Sequence, residues 1–304
     1  MGSCNNLRQA ACADFPSHIG IIVLVASLAT FVSGQEANRP GNGLTPPAVE
    51  KDIPYADGGD QQKLDLYLPG TKGFATVVFI YGGGWHTGSR KVVAPVGVKL
   101  QGLGFGCALP SHRLSPKDRF PAHIEDVAAA FVWVKRNIAA KGGDPKRVFL
   151  VGHSSGAHLA LLLATDPKYL KKHGLTLVDI AGVVGLSSPV DLEPRADGKG
   201  FGDALMAGRG ADAFSRDIRV MKGASPIRHI TKDMPPVLLV VGERDFPMLE
   251  GDAKAFVKRA TEEKSSAALV VSKGRNHMGV VKALLQDDSD VLKDVREFLA
   301  KPKR

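Results

Sequence analysis

The chain of 304 residues is long enough for one large domain or two small ones, and a hydrophobic share of 44% against 23% charged residues excludes a disordered chain. Three cysteines in that length exclude a disulfide-stapled scaffold. The formal charge of +9 is spread along the chain, apart from the terminal "KPKR", and reads as a solvated basic surface; no zinc-ligand spacing or RNA-binding signature accompanies it, so no nucleic-acid partner is expected.

The first element is "IGIIVLVASLATFV", Ile19 to Val32, with Arg8 upstream and "SGQEANRPGNG" downstream. That order predicts an export signal over residues 1–34, cut after Gly34, and a secreted or periplasmic protein. The apolar run is shorter than the about 20 residues a membrane helix needs. An uncleaved membrane anchor is the alternative, because the leading region is long and carries Asp14. Arg8 and Asp14 cancel within the leader, so the net charge survives its removal. Cys4 and Cys12 leave with it, and Cys107, in "GFGCALP", stays as a single thiol that reads as a buried small hydrophobe. Residues 35–50, with "NRPGNGLTPP", read as a linker, and residues 51–304 as one domain.

Within that domain the predicted strands are "KLDLYLP", "ATVVFIYGGG", "GFGCALP", "RVFLVGHS", "DIAGVVGLSS", "PPVLLVVGERD" and "AALVVSKG". Helices are predicted over "PAHIEDVAAAFVWVKRNIAAK", opened by Pro121 and stopped by Gly142, over Ser155 to Ala164, from Met248 to about Lys264, and from Ser289 to Ala300. Strands that are apolar throughout and alternate with helices predict an α/β fold: a mostly parallel sheet with helices on both faces. Residues 193–225, rich in Gly, Ala and charge, interrupt the pattern and read as a lid or pocket insertion.

The chemistry gathers at predicted strand ends. Ser154 lies where the strand of "RVFLVGHSSGAHLALLLAT" turns into a helix, with Gly152 and Gly156 two residues to either side. Such a turn holds a hydroxyl away from the scaffold, and the helix after it aims its first amides, Ser155 among them, towards developing negative charge. A serine nucleophile needs a base, and His277 of "GRNHMG" follows the last predicted strand; His153 and His158 are nearer in sequence but are held on the turn and its helix. The acid that orients the base is expected after the preceding strand: Asp245 first, with Glu243 and Asp191 as fallbacks. The glycines of "IYGGGWHTG" can bring backbone amides to an oxyanion, from Gly83 and Gly84 together with Ser155. Trp85 beside them is a candidate for substrate contact or for the core. No metal or organic cofactor is needed.

From about Lys51 to Leu299 the chain resembles the α/β-hydrolase superfamily, within it the carboxylesterase, hormone-sensitive-lipase-like and feruloyl-esterase-like group. The matching stretches are "LDLYLP", "YGGGW", "FPAHIEDVAAAFVWVKRN", "GGDPKRVFLVGHSSGAHLA", "PPVLLVVGERD" and "NHMG". The chain order Ser, Asp, His is the one that fold carries. Two departures stand out: Tyr81 where the lipase-like branch has His before the glycines, and "SHRLSP", with His112, where relatives often have Tyr before the Arg. The resemblance implies hydrolysis of carboxylic esters with small acyl groups, the substrate being a small molecule or an acetyl or feruloyl ester on a polysaccharide. An arylformamidase-type amide hydrolase is the rival enzyme, and a binding module that has kept the fold without the chemistry is the rival of another class.

Overall fold

In the computed structural model, residues 46–208 and 210–301 are described. The leader over residues 1–34 and most of the linker lie outside them. Eight strands, β1 (Ala48–Pro54), β2 (Lys63–Leu68), β3 (Phe74–Ile80), β4 (Gly106–Pro110), β5 (Gly143–His153), β6 (Val183–Leu186), β7 (Val237–Arg244) and β8 (Ala267–Asn276), form one sheet in the order β1-β2-β4-β3-β5-β6-β7-β8. β2 runs antiparallel to both β1 and β4; the remaining pairs are parallel. The helices are α1 (Ala94–Gly102), α2 (Ala122–Asn137), α3 (Ser155–Thr165), α4 (Lys168–Lys171), α5 (Phe201–Ala207), α6 (Gly210–Phe214), α7 (Ile218–Gly223), α8 (Pro247–Glu262), α9 (His277–Ala283) and α10 (Asp290–Ala300).

The apolar runs have the physical cause expected of them. Successive side chains of a strand face opposite ways. In β3, Val78 and Ile80 enter one core with Phe131 of α2 and Leu162 of α3, while Val77 and Phe79 enter the other with Val291 and Val295 of α10. A strand buried on both faces is therefore apolar almost throughout, as β3 is at every position but Thr76. Cys107, in β4, belongs to the second core, and burial pushes its thiol well above its ordinary range.

Three boundaries differ from the sequence expectation. β1 opens at Ala48, inside the stretch read as linker, because an exposed edge strand carries no apolar run to announce it. α1 forms despite Pro95 and Gly97: the proline sits in the first turn, where its missing N–H costs nothing, and Gly97 lets Tyr67 pack against the helix, since a Cβ there would stand 2.6 Å from the ring. Residues 193–225 hold the short helices α5, α6 and α7, anchored by the buried Phe214 and by the amide of Phe120 donating to the carbonyl of Ala213 at 2.8 Å. No helix among the described residues is long and apolar enough to cross a membrane.

The sheet positions the site through one regularity. Ser154, Ser187, Asp245 and His277 each occupy the first position after β5, β6, β7 and β8. These four strands are consecutive neighbours in parallel register, so their carboxyl ends stand in a row.

Candidate active site

Ser154 has φ 55° and ψ −124°, a strained conformation for a residue with a Cβ, and the turn tolerates it because its flanks are bare. A Cβ on Gly156 would lie 2.3 Å from the carbonyl oxygens of Ile80 and Tyr81, and one on Gly152 would lie 2.5 Å from that of Gly156. The two glycines let α3 approach the end of β3 and β5 so closely that the serine is thrust outward. Its Oγ lies 2.9 Å from Nε2 of His277, whose Nδ1 lies 2.7 Å from Oδ1 of Asp245. The carboxylate accepts at Nδ1, so the remaining imidazole nitrogen accepts the Ser154 proton.

Asp245 is held by more than the histidine. Its Oδ2 accepts from Ser187 Oγ at 2.5 Å and from the Gly242 amide at 3.3 Å, and its Oδ1 accepts from the Phe246 amide at 2.9 Å. Burial pushes the carboxyl up, but the bonds from His277, Ser187 and Phe246 outweigh it and hold Asp245 below the usual carboxylate range. The fallback acids are engaged elsewhere: Glu243 accepts from the Gly274 amide at 2.8 Å, and Asp191 lies 3.5 Å from Arg228. His158 is buried and donates to the carbonyl of Ala224 at 2.8 Å.

The glycine strip after β3 forms a tight turn. The amides of His86 and Thr87 both donate to the carbonyl of Gly83, and His86 Nδ1 donates to the carbonyl of Gly84 at 2.6 Å. Gly83 has φ 141° and Gly84 φ 62°, and a Cβ on Gly83 would strike the carbonyl oxygen of Thr87 at 2.1 Å. Their own amides donate to no acceptor among the described residues, and Ser155 opens α3 beside Ser154. Gly83 and Gly84 share a cavity wall with Ser154.

Two cavities meet along this strip. One, about 420 Å³, holds Ser154, His153 and His277 with an apolar wall that includes Val92, Phe246 and Met278. The other, about 460 Å³, runs from Gly83 and Gly84 towards Phe201 and Leu205 of α5 and Met248. Phe246 borders both and packs 4.6 Å from the His277 ring. The insertion thus supplies a wall of the second cavity. Trp85 borders that cavity too, but its indole is only 3% exposed and packs edge-on against His158 and Phe214, so its main place is the core.

Sequence reasoning missed Ser187 and the contact made by His153, whose Nε2 lies 3.0 Å from the backbone carbonyl of His277. A signal for Ser187 was present, as a small hydroxyl residue at the end of an apolar strand.

Strand order, strained turn and hydrogen-bonded Ser–His–Asp line together define an α/β-hydrolase. Comparison with known proteins narrows the class. The BD-FAE family model matches residues 64–259, and the chain belongs to that family. Among curated proteins it is similar to Esterase LipC of Mycobacterium tuberculosis (34% identical, covering 65% of this chain and 52% of the relative). It is also similar to the isoprenylcysteine alpha-carbonyl methylesterase ICME of Arabidopsis thaliana (28% identical, 75% and 56%). The chain spans about half the length of the curated relatives it matches. Among solved structures, a truncated carbohydrate esterase from gut microbiota shares the fold at a TM-score of 0.70 and 23% identity, over 86% of this chain and 97% of its own. A Pyrobaculum calidifontis esterase shares it at 0.69 and 24%, over 83% and 84%.

Proposed function

We propose that this protein is a serine carboxylesterase that hydrolyses short-acyl or aryl esters through an acyl-enzyme intermediate. The observation that carries the reading is the unbroken line from Ser154 Oγ through His277 to Asp245, at 2.9 and 2.7 Å. Ser154 Oγ attacks the ester carbonyl while its proton passes to His277 Nε2. The carbonyl oxygen, now negative, turns into the amides of Gly83, Gly84 and Ser155. Expulsion of the alcohol takes the proton back from His277 and leaves an acyl group on Ser154. Water, deprotonated by the same imidazole, then releases the acid. Asp245 keeps the proton of the neutral imidazole on Nδ1 and stabilises the imidazolium between the two proton transfers.

The apolar walls around Phe246, Val92, Met278 and Leu205 favour compact, uncharged groups on both sides of the ester. The names of the relatives, esterases and a carbohydrate esterase, support the same bond type. Acetyl or feruloyl groups on polysaccharides are the natural substrates this reading puts first, and export through the leader is part of it. The test is release of p-nitrophenol from acetate, butyrate and octanoate esters by the wild type and by Ser154→Ala. Turnover that falls with chain length and collapses in the variant is the expected result. A Ser154→Ala protein as active as the wild type would overturn the reading.

A further inference from the structure

β8 is an edge strand, half-buried or exposed at every residue but Ser272, yet it delivers the base. His277 must keep two hydrogen bonds at once, and a small movement of its backbone would break one of them. β5, by contrast, lies inside the sheet and carries the nucleophile on its end. His153 is the last residue of β5, and although β6 and β7 separate β5 from β8 in the sheet, its Nε2 lies 3.0 Å from the backbone carbonyl of His277, the first residue of α9. A carbonyl can only accept, so His153 carries its proton on Nε2. The residue is 5% exposed, and a Cβ on Gly82 would stand 3.0 Å from its Nδ1, so the ring sits in a slot that glycine keeps open.

We propose that His153 is a positioning residue for the base: its Nε2–H holds the carbonyl of His277 and ties the edge strand to the strand that bears Ser154. The proposal rests on the esterase reading for its consequence in catalysis, but not for the brace itself. Burial, with the nearby His277 adding to it, lowers the His153 imidazole to about 4, so it is neutral near pH 7. Neutrality matters because the two rings are 4.8 Å apart, and a second cation there would oppose the imidazolium that forms on His277.

Three variants separate the donor from the bulk of the ring. His153→Phe keeps a ring and removes the N–H; His153→Asn is polar but too short to reach the carbonyl; His153→Gln offers an amide N–H at comparable reach. With p-nitrophenyl acetate, the Phe and Asn variants are expected to lose kcat on the order of 100-fold with KM within about twofold, while Gln stays within about tenfold of wild type. Crystal structures of the three are expected to show the Ser154–His277 separation beyond hydrogen-bond range in Phe and Asn and preserved in Gln. That distance is readable whether or not any ester is turned over, so failure of the brace and failure of the esterase reading are separate results. Phe and Asn variants that keep the wild-type separations, or a Gln variant that loses as much kcat as they do, would overturn the proposal.

Discussion

The Tyr81 ring lies flat against His112, with centroids 4.6 Å apart and planes at 13°. The Tyr81 hydroxyl also accepts from the His112 amide at 3.2 Å. Both residues depart from the pattern the sequence resembles, Tyr81 before the glycines and His112 before Arg113. The structure joins both positions in one contact. Tyr81 is the first residue after β3, so this stack supports the glycine strip from below its origin.

The stack predicts coupling. Tyr81→His and His112→Tyr should each destabilise the protein, and the double variant should regain about 1 kcal/mol relative to the sum of the two. Urea unfolding of the four proteins measures it. Additive losses would mean that the two positions are independent.

Ser187 donates to the acid of the triad from a backbone of φ 53°. Ser187→Ala removes one of the bonds that lower and orient the Asp245 carboxyl, so that carboxyl should rise and kcat/KM should fall. The loss of a hydrogen bond to a charged group is about 1.5–3 kcal/mol, which sets the fall in kcat/KM at roughly tenfold or more. A kcat/KM within about twofold of wild type would show that Ser187 does not support Asp245.

Glycines in this fold are not equivalent. Gly156→Ala pushes a methyl to 2.3 Å from two carbonyl oxygens, and backbone cannot yield as a side chain can; a loss above about 3 kcal/mol or failure to fold is expected. Gly251, exposed within α8, has nothing within 4 Å of an added Cβ, and Gly251→Ala should stabilise by roughly 0.5–1 kcal/mol. Thermal melts of the two variants should therefore shift in opposite directions.

Four buried histidines make the fold acid-sensitive. Burial first, and neighbouring histidines second, lower His123 to about 3; burial lowers His153 and His158 to about 4, and His112 below its ordinary value. A histidine whose folded value is depressed binds its proton more readily in the unfolded chain. Stability is therefore full above the unfolded value of about 6.5 and falls as pH drops towards 4, by about 1.4 kcal/mol per pH unit for each of His123, His153 and His158. Urea midpoints at pH 7, 6 and 5 should fall in that order. A flat profile over this range would contradict the burial of these rings.

The sequence by itself determined much of this protein. Strands buried on both faces, such as β3 and Val237 to Val241 of β7, need apolar residues at nearly every position, and so they are visible as apolar runs. The pairing of Ser154 with Asp245 and His277 was legible for a related reason: reactive residues of a parallel sheet lie just past strand ends, and the three appear there in order. The edge strand β1 was hidden because exposed backbone demands no particular side chain. α9 was hidden because a helix of seven residues that starts at the base itself reads as a turn.

Only the tertiary structure decided which polar groups meet. Ser187 finds Asp245 across 58 positions and His153 finds His277 across 124. Tyr81 stacks on His112 although 31 positions separate them. The side of the glycine strip on which α5 builds its cavity was equally unreadable. Local patterning reports whether a side chain faces a core, because burial acts on each residue separately. A hydrogen bond or a stack depends on the strand order that brings two distant residues together, and that order is a property of the assembled sheet.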